Sequence, residues 1–345
     1  MPHPEIPLID VDKHHGTEVD LRARGEQLPP VRHRHEAREL HAINAALAAG
    51  RPLLIRGEPG TGKSQLARAA ADLLVREFVW KVVDAQTQVS DLFFAFDAVA
   101  RLAQAQVAAI LHKEGGDKKV EEILDERNFV RPGPLWWAFD PPSAAAQEQR
   151  HTTRRAVEVD KTAAHPGHVV LIDEIDKTDP SVPSGLLEAL GQGTFEVPRG
   201  AVSLHRPGRP APLIVITTNQ ERELPAAFVR RCMVLHLQLP TDPDDLRAWL
   251  VARGKTHFPD LAAPPHTKPE HDLLARAADL VIRDRHRADE LGVPPAGQAE
   301  YLDILRALRT LRKTNSERIG LLDLVADFAL DKHRDPRREL APDAP

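Results

Sequence analysis

Residues 57–64 are the stretch of this sequence whose residue types and spacing point most directly to chemistry. They read GEPGTGKS and fit the pattern G-x-x-x-x-G-K-[ST] at every position. Glycines let the backbone curl so that its N–H groups converge on phosphate oxygens. Lys63 would reach the β- and γ-phosphates of ATP, and the Ser64 hydroxyl would hold Mg²⁺. The predicted nucleotide-binding residues are Gly57, Glu58, Pro59, Gly60, Thr61, Gly62, Lys63, Ser64 and Gln65.

A second chemical signal is a pair of carboxylates at the end of an apolar run. Asp173 and Glu174 follow Val169–Ile172 directly. If the run is a buried strand, both carboxylates lie at the edge of the sheet where ligands bind in α/β proteins. Asp173 would share Mg²⁺ with Ser64, and Glu174 would act as general base on the attacking water. The alternative is an N-cap and first-turn acid of the next helix, which the neighbouring phosphate loop disfavours.

Three polar residues further along complete the candidate catalytic set. The apolar run Leu213–Ile216 ends in the polar residues Thr217, Thr218 and Asn219. Asn219 would position the attacking water; the alternative is a capping asparagine. Arg230 and Arg231 end a short predicted helix, Leu224–Arg231. A guanidinium at the γ-phosphate of a neighbouring copy stabilises the charge of the transition state, which requires an oligomer. Alternatively, both arginines face solvent or pair with acids.

The elements that position these residues alternate between strands and helices. Short apolar runs predict strands, and apolar residues at helical spacing predict helices between them. The expected fold is an α/β αβα sandwich with a mostly parallel sheet, followed by a small all-helical domain. The predicted segments are an N-terminal arm (1–34), the nucleotide-binding core (35–240), the helical domain (241–334) and a loose tail (335–345).

Some local predictions concern segments outside these motifs. Ser90 is predicted to cap a helix that runs through Leu111, and residues 115–119 to break it in an exposed turn. Pro132, Pro134, Pro141 and Pro142 predict loops, and residues 135–137 predict a short packed helix. The strands of a hairpin are predicted within Thr194–Leu204, with its turn at 198–200. His33, His35 and His41 lack the spacing of a standard metal site and are predicted to be solvated.

Composition limits the classes of function. The formal net charge is −5 and aromatic residues make up 4% of the chain, so nucleic acid is not an expected partner. One cysteine, Cys232, excludes a disulfide framework and favours a cytoplasmic protein. No stretch approaches the length of a membrane span, and the N-terminus lacks the apolar core of a signal peptide.

Taken together, the motifs resemble those of the MoxR family of AAA+ ATPases. RPLLIRGEPGTGKSQLARAAA resembles the Walker A region, VVLIDEIDKTDPSVPSGLLEAL the Walker B region, VITTN sensor 1, and LPAAFVRRC the arginine-finger region; FVRPGPLWWAF and GTFEVPRGAVSL also resemble family segments. The resemblance covers roughly residues 36–239. It implies a P-loop AAA+ αβα core with a helical lid, a hexameric ring binding ATP and Mg²⁺ between subunits, a remodelled protein client, and often a von Willebrand factor A domain partner.

The sequence departs from the family at two places. Residues 293–300, where the lid of many AAA+ proteins supplies a sensor 2 arginine, contain none; Arg306 and Arg309 come later. Residues 104–162 are longer than the corresponding segment of the family core and are a candidate insertion that contacts the client.

Two other functions stay open beside a chaperone-like remodeller. One is an ATP-dependent oligomerisation switch that recruits effectors, as in bacterial defence systems. The other is a DNA-acting ATPase, which the negative net charge disfavours.

Overall fold

The computed structural model describes residues 8–23, 28, 30–112, 117–153, 167–192, 194–197, 200–203, 211–264, 268 and 271–330. Contacts group the chain into two compact units. The sheet unit comprises Met1–Gly16, His35–Arg56 and Lys63–His236. The helical unit comprises Thr17–Arg34, Gly57–Gly62 and Leu237–Pro345. The four segments expected from the sequence, 1–34, 35–240, 241–334 and 335–345, stay predictions.

The helices and strands follow one another in this order: α1 (Val11–His14), β1 (Glu18–Leu21), β2 (Val31–Arg34), α2 (Ala37–Ala49), β3 (Leu53–Gly57), α3 (Lys63–Leu73), β4 (Glu77–Val82), α4 (Val89–Phe93), β5 (Phe94–Phe96), α5 (Ala98–His112), α6 (Asp117–Ile123), β6 (Val130–Pro132), α7 (Pro134–Phe139), α8 (Pro141–Thr153), β7 (His168–Asp173), α9 (Ser181–Gln192), β8 (Thr194–Val197), β9 (Gly200–Ser203), β10 (Leu213–Thr218), α10 (Ala226–Val229), β11 (Met233–Leu237), α11 (Pro243–His257), α12 (Leu273–Leu291), α13 (Gln298–Leu311) and α14 (Asn315–Leu330).

The main sheet has the strand order β11-β3-β10-β7-β4. β3, β10, β7 and β4 pair in parallel. The apolar residues of β7 and β10 are buried without alternation, as expected for strands covered on both faces. Because these strands run in parallel, the polar residues that follow them meet at one edge of the sheet. The mostly parallel sheet predicted from the sequence is confirmed.

Helices cover this sheet because alternate strand residues need apolar partners on each face. Residues such as Leu54, Val170 and Ile216 join one buried cluster with Leu135 of α7 and Leu186 of α9. Helix α3 contacts β7 and β10, and α2 also contacts β10. Helix α2 ends at Gly50 in a left-handed conformation, which glycine adopts readily at the end of a helix.

The prediction of one helix from Ser90 to Leu111 is wrong. The structure has α4, then strand β5, then α5. Strand β5 pairs in antiparallel fashion with β6, so backbone hydrogen bonds to a distant segment override the helical pattern. The capping box of α4 is formed by Gln88 and Asp91 rather than by Ser90.

Three predicted loops are helix starts instead, and Pro132 ends strand β6. Pro134 begins α7 and Pro141 begins α8, because the first residues of a helix need no N–H partner and proline suits them. Asp117 begins α6, whereas Gly115 and Gly116 lie outside the described residues. The short packed helix predicted at 135–137 is confirmed as α7.

The histidines near the start of α2 are buried rather than solvated, so this prediction is wrong for His33 and His35. Burial lowers the pKa of His35, with a smaller contribution from His14. His41 is exposed, as predicted. Within the described ranges, no group of three or more His, Cys, Asp or Glu side chains has a metal-binding arrangement.

The helical unit packs α11–α14 around its own core. Leu250, Leu274, Tyr301 and Leu305 are fully buried there. The Tyr301 hydroxyl donates to the carbonyl oxygen of Leu274 at 3.2 Å, and burial raises the pKa of Tyr301. These four helices confirm the helical region predicted to follow the sheet.

The remaining local predictions have mixed outcomes. The hairpin strands are confirmed as β8 and β9, which pair in antiparallel fashion. Its turn residues Pro198 and Arg199 and the tail from residue 335 lie outside the described residues. Over the part of the chain that the structure describes, no helix has the length and apolarity of a membrane span.

Candidate nucleotide-binding site

The loop between β3 and α3 depends on its glycines. Gly60 and Gly62 have φ angles of +76° and +90°, the left-handed region that side chains disfavour. A Cβ on Gly57 would lie 2.3 Å from the carbonyl oxygen of Leu237, so a side chain cannot fit there. The Thr61 hydroxyl donates to the carbonyl oxygen of Glu58 at 2.9 Å. The result is a tight loop, with Pro59 exposed at its tip.

The first turn of α3 presents the residues predicted to meet phosphate and metal. Lys63 is the first residue of α3 and is buried, and Ser64 and Gln65 are half-buried. The Ser64 hydroxyl donates to both carboxylate oxygens of Asp173, at 2.8 and 3.0 Å. A hydroxyl and a carboxylate in contact form an oxygen donor set of the kind that Mg²⁺ prefers, so these residues fit the ion.

Thr217 is a residue of this site that the sequence reasoning missed. It is fully buried in β10. Its hydroxyl donates to Asp173 Oδ1 and accepts the backbone N–H of Glu174 at 2.9 Å. One hydroxyl thus fixes both acids at the end of β7. The only sequence signal was a polar residue within the apolar run of β10.

Glu174 is held in an unusual backbone conformation. Its φ and ψ are +64° and +46°, which cost a non-glycine residue energy and persist only where surroundings enforce them. Its Oε1 accepts from Asn219 Nδ2 at 3.2 Å, and its Oε2 accepts from Lys177 Nζ at 2.7 Å. This hydrogen bond and the charge of Glu174 raise the pKa of Lys177. The structure therefore brings Asn219 to Glu174, and it adds Lys177, which the sequence reasoning did not single out.

The turn after Glu174 is tied to the loop after β10 through Asp176. Asp176 is buried and accepts the backbone N–H groups of Glu221, at 3.0 Å, and of Asn219, at 3.4 Å. It therefore positions the backbone that carries Asn219. Asp179 accepts the backbone N–H of Ser181 at the start of α9.

Arg230 and Arg231 are not brought to this cluster. Both lie just after α10 and are exposed, while Phe228 anchors the helix in the core. Across the described ranges, neither arginine makes a hydrogen bond or ion pair through its side chain with any other residue, so both guanidinium groups face solvent.

The stretch expected to carry a sensor 2 arginine begins α13. A Cβ built on Gly60 would lie 2.4 Å from the Cβ of Ala299, so this helix start adjoins the loop within the helical unit. Arg306 and Arg309 pair instead with Asp303 and Asp260.

A different arginine reaches the loop from α12. Arg285 pairs with Glu58 through two hydrogen bonds of 2.9 and 3.1 Å. No local sequence pattern indicates this pair, because its members are 227 positions apart.

One family model and several solved structures are similar to this chain. A model of the AAA ATPase domain family matches residues 29–199. Similar solved structures include PCH-2 of C. elegans, with a TM-score of 0.43 and 13% identity over 86% of this chain and 69% of that chain. Another is a protein of Cytophaga hutchinsonii described as an ATPase, with a TM-score of 0.33 and 16% identity over 87% and 83%. No curated protein matches the chain.

Residues 29–199 therefore match an AAA ATPase domain, and the fold is the AAA+ αβα sandwich followed by a helical region. An AAA ATPase domain in general binds a nucleotide, typically with Mg²⁺, and hydrolyses it.

Proposed function

We propose that this chain binds ATP at residues 57–65 and hydrolyses it. The observation that carries the proposal is a continuous series of hydrogen bonds linking the start of α3 to the ends of β7 and β10. Its members are Ser64, Asp173, Thr217, Glu174 and Asn219. If Asp173 and Glu174 had only a structural role, Asp173 would not need a hydroxyl beside it that completes a set of oxygen ligands for a metal ion. Glu174 would not need a hydrogen bond from the Asn219 amide.

The phosphate loop and α3 supply the binding interactions in this proposal. The ammonium group of Lys63 contacts the β- and γ-phosphates, and the N-terminus of α3 adds a positive dipole. Ser64 and Asp173 would hold Mg²⁺, which would supply positive charge beside the phosphate oxygens.

Glu174 is the general base. It accepts a proton from a water molecule as the water oxygen bonds to the γ-phosphorus. The bond from that phosphorus to the β–γ bridging oxygen breaks, ADP leaves with the electron pair, and phosphate is released. Asn219, already in contact with Glu174, orients the water. Lys177 holds Glu174 in the nucleotide-free chain.

Arg230 and Arg231 would act on a neighbouring copy. Their exposed side chains suit a role in trans at the γ-phosphate of the next subunit. On this basis we propose a ring oligomer, with six subunits by likeness to MoxR proteins, that remodels a protein client in the cytoplasm. A von Willebrand factor A domain protein is the proposed partner.

A second candidate is an ATP-dependent oligomerisation switch that recruits effectors. The observation favouring it is that donors already occupy both carboxylate oxygens of Glu174. A base held in this way predicts slow basal turnover, as a switch requires. Turnover stimulated by a client protein would favour the remodeller, and slow turnover with strong ATP-dependent assembly would favour the switch.

Two variants and one mass measurement test the proposal. Lys63→Ala should lose binding of a fluorescent ATP analogue, whereas Glu174→Gln should bind it and hydrolyse no ATP. Light scattering on a sizing column should show Glu174→Gln shift to about six subunits with Mg²⁺ and ATP. A monomer under all nucleotide conditions would overturn the ring and the trans arginine, but not the ATP site.

Mixing variants tests the arginines separately. Arg231→Ala should bind the analogue but lose turnover. Mixed with Lys63→Ala subunits, it should regain some activity, because each variant supplies the group that the other lacks. Mixtures with no more activity than their components would contradict the role in trans.

A further inference from the structure

Glu58 places a carboxylate within a loop that the proposed function fills with phosphate. A negative side chain beside a polyanion weakens its binding unless a cation neutralises it. The Glu58 side chain is 43% exposed, so it is not withdrawn into the core. Its charge therefore needs a partner if the loop is to bind ATP.

Arg285 supplies the opposite, positive charge in a fixed geometry. The two nitrogens Nη1 and Nη2 donate to Oε2 and Oε1 of Glu58, the bidentate pairing that suits guanidinium and carboxylate. Nη1 also donates to the carbonyl oxygen of Ala296 at 2.7 Å. The Arg285 side chain is only 20% exposed, so it is held on both sides rather than swinging in solvent.

The same contacts tie the loop to the segment between α12 and α13. The backbone N–H of Ala296 donates to Asp284, the residue before Arg285, at 3.3 Å. Three residues later, Ala299 lies against Gly60. Loop residues 57–62 and both helices belong to the helical unit, and Arg285 is the cationic link among them.

We propose that Arg285 is a positioning residue for the polyphosphate of ATP, which it serves by neutralising Glu58 and fixing the loop against the start of α13. This inference rests on the proposed ATP site. The start of α13 carries no arginine, and Arg285 reaches the loop from α12 instead. A charge effect of this kind grows with the number of phosphates, whereas loss of local folding would affect every nucleotide alike.

The test is a double-mutant cycle on nucleotide affinity. We expect Arg285→Met to weaken binding of a non-hydrolysable ATP analogue about tenfold and of ADP about threefold, because it removes the guanidinium that offsets the Glu58 charge. Glu58→Gln/Arg285→Met should return to within about threefold of the parent, because the negative charge is removed together with the guanidinium. The affinities of Arg285→Lys should lie between those of the parent and of Arg285→Met, since lysine keeps the positive charge but cannot donate two parallel hydrogen bonds to the carboxylate.

Arg283→Met is the matched control. Arg283 is an exposed arginine on the same helix, and its loss should leave both affinities unchanged. Equal weakening of ATP and ADP by Arg285→Met, or no recovery in the double variant, would overturn the inference while leaving the ATP site intact. If the parent chain binds no nucleotide, the ATP site fails and takes the inference with it.

Discussion

Replacing Thr217 with valine removes a hydroxyl that holds two acids and changes the shape of the side chain little. Thr217 is fully buried, donates to Asp173 and accepts the backbone N–H of Glu174. A hydrogen bond to a charged group contributes about 1.5–3 kcal/mol, and an unsatisfied buried N–H costs about 1–3 kcal/mol. Because such terms do not add fully, we expect Thr217→Val to lower the free energy of unfolding by about 2–4 kcal/mol.

The effect on catalysis follows from the same contacts. Without Thr217, nothing at that position holds the left-handed backbone of Glu174, and the base moves away from its place. A displacement of about 1 Å costs on the order of 100-fold in rate. We therefore expect kcat to fall about 10- to 100-fold, while affinity for an ATP analogue changes by less than about threefold, because Lys63 and the loop are intact.

Steady-state phosphate release measures kcat, and urea denaturation measures stability. Thr217→Ser keeps the hydroxyl and should stay near the parent. Thr218→Val is the matched control: Thr218 is also buried, and its hydroxyl accepts from the backbone N–H of Gln220 at 3.0 Å. If Thr217→Val kept the parent kcat, or if Thr218→Val lost as much, Thr217 would not be the residue that positions the acids.

Three further predictions concern the loop, the base and the stability of the sheet unit. Gly60→Ala should lose ATP-analogue binding and about 1 kcal/mol or more of stability, since alanine disfavours a φ of +76° and its Cβ would lie too close to Ala299. Unchanged affinity would show that the loop has room for this Cβ. Lys177→Met should raise basal kcat about two- to fivefold, because it releases one carboxylate oxygen of Glu174, and Lys177→Arg should leave kcat unchanged. A fall in kcat in both variants would mean that Lys177 supports catalysis. Arg127, assisted by Arg150, lowers the pKa of Asp125 from 3.8 to about 2, so its stabilisation is present above about pH 4 and is lost as the pH falls through about 2. Acid titration followed by circular dichroism should therefore show a smaller loss of stability between pH 4 and 2 in Asp125→Asn than in the parent.

The sequence was sufficient for the parts of the site that are local. The phosphate loop needs glycines at fixed spacing, and the torsion angles of Gly60 and Gly62 show why. The strands β7 and β10 were predictable because buried parallel strands are continuously apolar. Their polar ends then had to meet at one edge.

Other features depend on contacts between distant residues and left little trace in the sequence. Strand β5 interrupts a helical pattern only because β6 pairs with it. Thr217 and Thr218 are the same residue type, and only the geometry shows which hydroxyl serves Asp173. Arg285 and Glu58 are far apart in the sequence, so no local pattern indicates their contact. His33 and His35 looked solvated because their burial comes from tertiary packing.

The role of Glu174 as general base is tested by phosphate release from the parent chain and from Glu174→Gln at saturating Mg²⁺ and ATP, with analogue binding measured on the same samples. We expect the parent to release phosphate, and Glu174→Gln to bind the analogue as tightly but to release phosphate at least about 100-fold more slowly. Equal rates in the two proteins would contradict the assignment of Glu174 as the general base.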